Sequence, residues 1–126
     1  MARNEIERVK INFPEEFIFS ITLQVRLCDL ATGLHLANHI LISYLNETLT
    51  LFLKSNGHPD YEIDGAKFIN GDVAIIFKSE ALYGDLLKID LAFGTLSEHR
   101  CNAFFYVTNE KKRQSGRRTQ DGHVLF

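Results

Sequence analysis

Long hydrophobic runs are missing from this sequence. Its longest apolar stretches are broken by Asn, His, Ser, Glu or Thr, so none approaches the ~20 residues that a membrane-spanning helix needs. The stretch MARNEIERVKINF has no basic segment followed by an apolar core, and no export signal is read there. Cysteine is scarce as well. Cys28 and Cys101 stand far apart with no CxxC motif, which points to reduced thiols in a cytoplasmic protein, a single disulfide being the alternative. Positive charge is not in excess. Fourteen Lys and Arg against sixteen Asp and Glu give a formal net charge of −2 and a pI near 6.2, which argues against a general nucleic-acid binder. No internal repeat, linker or low-complexity tract divides the chain, and residues 1–126 have the length of one domain.

What remains is ordinary globular composition, 45% hydrophobic and 24% charged, arranged in recognisable periods. Residues 19–27, FSITLQVRL, read as a strand. The polar stretch DLATGLHLANH follows, and from about Asn38 to Ser55 the spacing predicts a helix, stopped by Asn-Gly-His-Pro at 56–59. His39, Ser43, Asn46, Thr50 and Lys54 form a narrow polar stripe on it, so other elements should wrap most of the remaining surface. Strand-like segments follow at 72–81, 86–97, 101–112 and 117–126. Tyr83-Gly84-Asp85 reads as a turn, and Leu87, Ile89, Leu91 and Phe93 share one strand face. The last two segments are joined by the basic stretch KKRQSGRR, which suits an exposed turn or, alternatively, contact with phosphate groups. One long helix against about five mainly antiparallel strands is an α+β pattern.

These elements, in this order, resemble the hotdog-fold thioesterase superfamily, and most closely its acyl-CoA thioesterase branch related to hydroxybenzoyl-CoA thioesterase. The segment VRLCDLATGLHLANHILISYLNETL is similar to that branch's signature of a strand ending in Asp, a Gly/His loop and Asn at the helix start. INGDVAIIFKSEALYGDLLKIDLAFG resembles its second and third strands, and the likeness spans roughly residues 7–126. It implies a curved antiparallel sheet wrapped around a central helix. It also matches Asp29 to the Asp closing the first strand, Gly33, His35 and Asn38 to the loop and helix start, and Glu47 to an acidic helix position. Ala31 departs from the pattern, because many members carry the catalytic carboxylate there, and His39 departs too.

Thioester hydrolysis requires donors for the developing oxyanion and a base or nucleophile. Backbone N–H groups at a helix start suit the first task, with Gly33 and Asn38 as the substrate-binding candidates. Asp29, His35 and Glu47 are the catalytic candidates. A purely structural reading stands beside this one. Asp29, Thr32 and Asn38 are also good turn and N-cap residues, and Gly33 is a normal turn glycine. His35 and His39 make an HxxxH spacing with no third ligand, so no metal is expected, and no cofactor.

The expectation is an acyl-CoA thioesterase acting on a coenzyme A or carrier-protein thioester. The alternative is an acyl-thioester binding protein that lost its loop carboxylate at Ala31. A third reading is a structural module that uses its sheet edge. The final apolar strand, GHVLF, is expected at an open edge, where pairing between copies would give a homodimer or a dimer of dimers.

Overall fold

Residues Asn38–Ser55 contain no glycine or proline, and in the computed structural model they form one 18-residue helix, α1, over the predicted span. The structure describes residues 11–63, 65–96, 100–110 and 123–125. Leu41, Tyr44, Leu45, Thr48, Leu49 and Leu53, at steps of three and four, are the buried positions of α1. The helix ends where Gly57 turns left-handed at φ 82°. The amides of Gly57 and His58 then donate back to the Lys54 and Leu53 carbonyls at 3.1 and 2.8 Å, which closes that end in a Schellman motif.

The helix lies against a five-stranded antiparallel sheet built from β1 (Phe19–Gln24), β4 (Ala74–Ile76), β5 (Leu86–Leu96), β6 (Cys101–Asn109) and β7 (His123–Leu125). Its order is β1-β5-β6-β7-β4. A short hairpin of β2 (Glu62–Ile63) and β3 (Ala66–Lys67) stands apart from it. Alternation does what the sequence predicts on β5, where Leu87, Ile89 and Leu91 are buried and Phe93 packs against the core. Register carries the apolar rows across the sheet, Phe19 opposite Leu91 opposite Phe105 and Ile21 opposite Ile89 opposite Val107. Leu45, Ile89, Leu91 and Phe105 are completely buried between helix and sheet. Each such side chain contributes about 1.5–3 kcal/mol by leaving water.

On the other sheet face the chain itself covers part of β6. Phe13 packs on Phe104 and Tyr106 with ring centroids 5.8 and 5.4 Å away, and Phe17 lies 6.1 Å from Tyr106. Gly94 makes this possible, because a Cβ there would fall 2.6 Å from a ring carbon of Phe104.

Four expectations are corrected. The first strand stops at Gln24, because the chain folds into a 3-10 turn at Leu27–Asp29 with the Arg26 amide donating to the Asp29 carboxylate. The segment 72–81 is a strand only at Ala74–Ile76, since the chain then leaves the sheet to pair with the loop before α1. Its Leu82–Asp85 turn places Gly84 at φ 82°, as the Tyr-Gly-Asp signal requires. The final strand is not an edge, for β7 lies between β6 and β4, and the edges of the sheet are β1 and β4. Asn38 is not the N-cap. That position is Ala37, in extended conformation, with no side-chain cap. The basic stretch 111–118 and most of the segment 117–126 lie outside the described residues.

Candidate active site

The loop entering α1 is shaped by two successive left-handed residues, Gly33 at φ 97° and Leu34 at φ 64°. Glycine meets this requirement freely and leucine only at a cost, so the loop is held by its surroundings. Ala31 and His35 pair through a 2.8 Å hydrogen bond from the Ala31 amide to the His35 carbonyl, while the Ala37 amide donates to the Asp29 carbonyl at 3.0 Å. Together these bonds fix His35 immediately ahead of the helix. Its Nδ1 lies 3.2 Å from the Leu36 carbonyl oxygen. A carbonyl only accepts, so Nδ1 carries a proton in this pairing, and in the neutral ring the lone pair falls on Nε2. Gly33 sits against this ring, and a Cβ on it would lie 3.4 Å from the imidazole Cδ2.

Asp29 serves a different purpose. It is 3% exposed and accepts hydrogen bonds from the Tyr44 hydroxyl, from the Arg26 amide at 3.1 Å and from the Arg26 guanidinium at 3.3 and 3.4 Å. Burial pushes its carboxyl up, but the bonds from Tyr44 and Arg26 outweigh burial and hold it below the usual carboxylate range. The Tyr44 phenol is raised well above its ordinary value, first by burial and then by the Asp29 carboxylate. Asp29 is thus a brace between the loop and the buried face of α1. Glu47 lies on the exposed side of the helix with His39 and Ser43, away from the sheet.

At the start of α1 a cavity of about 280 Å³ opens between helix, loop and sheet. Leu36, Leu41, Leu87 and Val107 give it an apolar wall, and His35 and Asn38 bring polar groups from the loop side. Phe77, Ser79, Glu80 and Ala81 line it from the segment that leaves β4, and Asn109 closes the inner end. Of the five residues singled out in the sequence, the structure brings His35 and Asn38 into this cavity, with Gly33 behind the His35 ring. Asp29 and Glu47 are not among its lining residues.

Because Ala37 offers no side-chain cap, the amides of Asn38 and His39 have no hydrogen-bond acceptor among the described residues. The first amides bonded inward are those of Ile40 and Leu41, both to the Ala37 carbonyl. Two open N–H groups at the start of an 18-residue helix stand at the positive end of its dipole, an arrangement that can attract negative charge. Among the described residues no group of three or more His, Cys, Asp or Glu could hold a metal ion.

Sequence reasoning passed over Ser79, Glu80 and Asn109, each of which lines the cavity. Asn109 is held by its side-chain amide donating to the buried Asp85 carboxylate at 2.8 Å. Asp85 also accepts from the Leu82 amide at 2.9 Å, so it fixes both the turn and the inner end of the cavity.

No family model and no curated protein matches the chain. Solved structures do. A 1,4-dihydroxy-2-naphthoyl-CoA thioesterase from Synechocystis aligns with a TM-score of 0.70 at 18% identity, over 85% of this chain and 77% of that one. A gentisyl-coenzyme A thioesterase aligns at 0.68 and 18% identity, over 84% and 85% of the two chains. A thioesterase from Thermus thermophilus, solved with coenzyme A and zinc, aligns at 0.71 and 18% identity, over 87% and 81%. The fold is the hotdog fold of these thioesterases, an antiparallel sheet around one main helix.

Proposed function

We propose that the protein is an acyl-CoA thioesterase, hydrolysing an acyl thioester to a free acid and a thiol. The observation that carries this reading is the uncapped start of α1, where Asn38, whose amide has no acceptor among the described residues, lines a largely apolar cavity and His39 follows it with a second open amide. A thioester carbonyl placed there would acquire two donors as its oxygen becomes negative. Removing one such donor typically costs about 3 kcal/mol of transition-state stabilisation. His35, whose Nε2 can accept, is the sequence-derived catalytic candidate that reaches this place, and Asn38 and Gly33 complete the substrate side. Asp29 supports the loop rather than touching substrate. Glu47 enters the chemistry only if a second protomer carries it to the cavity.

Two copies are part of the proposal. Among the described residues the edge strand β4 is paired on one side only, with the exposed apolar Val73 and Phe77 next to it, and pairing on the other side would join two sheets. Since Phe77 also lines the cavity, a homodimer formed at this edge would place each site beside the interface. Any further dimer of dimers would have to avoid the sheet face covered by Phe13 and Phe17. Light scattering should therefore return twice the chain mass, and a monomer would remove the interface. Among the described residues no helix is long and apolar enough to cross a membrane, and we place the activity in the cytoplasm.

The test is release of free thiol from short, long and aromatic acyl-CoAs. Turnover supports the thioesterase. A second reading has its own observation, since Ala31 carries no carboxylate and Asp29 is fully engaged by Tyr44 and Arg26. Tight binding of an acyl-CoA with no thiol release would identify an acyl-thioester binding protein instead.

A further inference from the structure

Granted the acyl-thioester site proposed above, on which this rests, we propose that the cavity accepts compact acyl groups, a short chain or a single ring, and that Val107 sets the limit. The lining of the cavity divides by exposure. Asn38, Phe77, Ser79 and Glu80 are exposed and form its mouth. Leu36, Leu41, Leu87, Val107 and Asn109 are buried and form its interior.

The depth follows from the register of helix and strands. Leu41 lines the cavity, whereas Leu45, one turn further along α1, is completely buried and does not. Residues two apart on a strand share a face, so Leu87 is followed by Ile89 and Val107 is preceded by Phe105. Ile89 and Phe105 are also completely buried, and neither lines the cavity. On α1, β5 and β6 alike, cavity wall gives way to filled core within one step. Val107 stands opposite Ile89, at that boundary on the sheet. An acyl tail running inward from the helix start therefore meets Leu41 and Val107 with packed side chains behind them. Asn109, held by Asp85, closes the cavity at the end of β6.

Capacity agrees with this depth. The cavity of about 280 Å³ holds roughly nine heavy-atom groups at ~30 Å³ each, the share of a water molecule in the liquid. The thioester carbon, oxygen and sulfur fill part of that space, which leaves about six groups for the rest of the acyl moiety. A heptanoyl chain or a benzoyl ring fits. Two fused rings or a long fatty chain do not.

The experiment measures kcat/KM for thiol release from straight-chain acyl-CoAs, acetyl to hexadecanoyl, and from benzoyl- and naphthoyl-CoA. Binding of thioether analogues with the same acyl groups is followed by calorimetry. The natural protein is compared with Val107→Ala and Val107→Leu, with thermal unfolding of each. For the natural protein, kcat/KM should rise about fourfold per methylene up to roughly seven carbons and then stop rising. Benzoyl-CoA should exceed naphthoyl-CoA by at least ~10-fold. Val107→Ala should move the limit up by about one or two carbons, and Val107→Leu down by about one. Where Val107→Ala does not fold, Val107→Leu decides, and the length profile of the natural protein needs neither. A natural protein that prefers chains of twelve carbons or more overturns the proposal. An unchanged limit in the folded variants overturns the role of Val107. The same length limit in thioether binding, with no thiol released, fails the hydrolysis reading and leaves the acyl limit standing. Absence of both binding and turnover sinks the two together.

Discussion

The two ends of α1 are finished in opposite ways. At the C-terminal end, Gly57 and His58 return their amides to helix carbonyls, and the Asn56 side chain adds a further bond to the Phe52 carbonyl at 2.8 Å. Nearby, the Tyr61 hydroxyl donates to the Asn46 carbonyl at 3.1 Å and pairs with Thr50. At the N-terminal end, Ala37 offers nothing to the first amides, and a cavity opens beside them. Helix ends cost stability when left open, so an uncapped start next to a cavity is what a binding site would require. One end of the helix serves the fold and the other remains available to a ligand.

The strongest way to disturb this contrast is at the brace beneath the open end. Asp29→Ala leaves the buried Tyr44 hydroxyl without its acceptor and frees the loop, and should destabilise the protein by about 1–3 kcal/mol in urea unfolding. At the closed end, Gly57→Ala forces a Cβ into left-handed backbone with nothing within 4 Å of it, so the cost should be strain alone, about 1–2 kcal/mol. Gly33→Ala imposes similar strain at φ 97°, in a loop whose new Cβ would stand in ordinary contact with the His35 ring, so relief of that strain should shift His35 and thiol release should fall more than stability does. The smallest and most discriminating change is Ala37→Ser. A hydroxyl there would accept from the His39 amide and stabilise by roughly 0.5–1 kcal/mol in urea, while slowing turnover by occupying one of the two proposed oxyanion donors. A variant that gained stability and kept full activity would end the contrast.

Acid sharpens the same comparison. The Asp29 carboxyl is held below its unfolded value, so its contribution is present above about pH 4 and is lost as pH falls through the folded value. Tyr44→Phe removes one of the bonds that hold it down. The stability gap between natural and variant protein should be widest near neutrality and shrink in acid, as urea midpoints measured from pH 7 to pH 3 would reveal.

The helix was legible because Leu41, Leu45, Leu49 and Leu53 recur at its period and Gly57 marks its end. The pairing of β5 with β6 was legible for a similar reason, alternation on adjacent segments joined by a short connection. The place of β4 was not. It pairs with β7, whose residues 123–125 come almost fifty positions later, and no local pattern reports such a partner. The final strand therefore reads as an edge and is in fact interior. The β2–β3 hairpin carried a signal in its Asp-Gly step that went unread. In the loop, residue type identified a polar cluster but not its partners. Nothing in the sequence says that Asp29 will meet Tyr44, or that Glu80, which reads as the polar end of a strand, will line a cavity.

The covering of the outer sheet face has a practical consequence. Phe13 and Phe17 act as a built-in shield over Phe104 and Tyr106, and Gly94 is the gap that leaves room for the Phe104 ring beneath it. A shortened version beginning at β1 would keep the helix, the cavity and every residue named in the chemistry. It would also uncover the Phe104 and Tyr106 rings, so such a version should associate more readily in concentrated solution than the natural chain does.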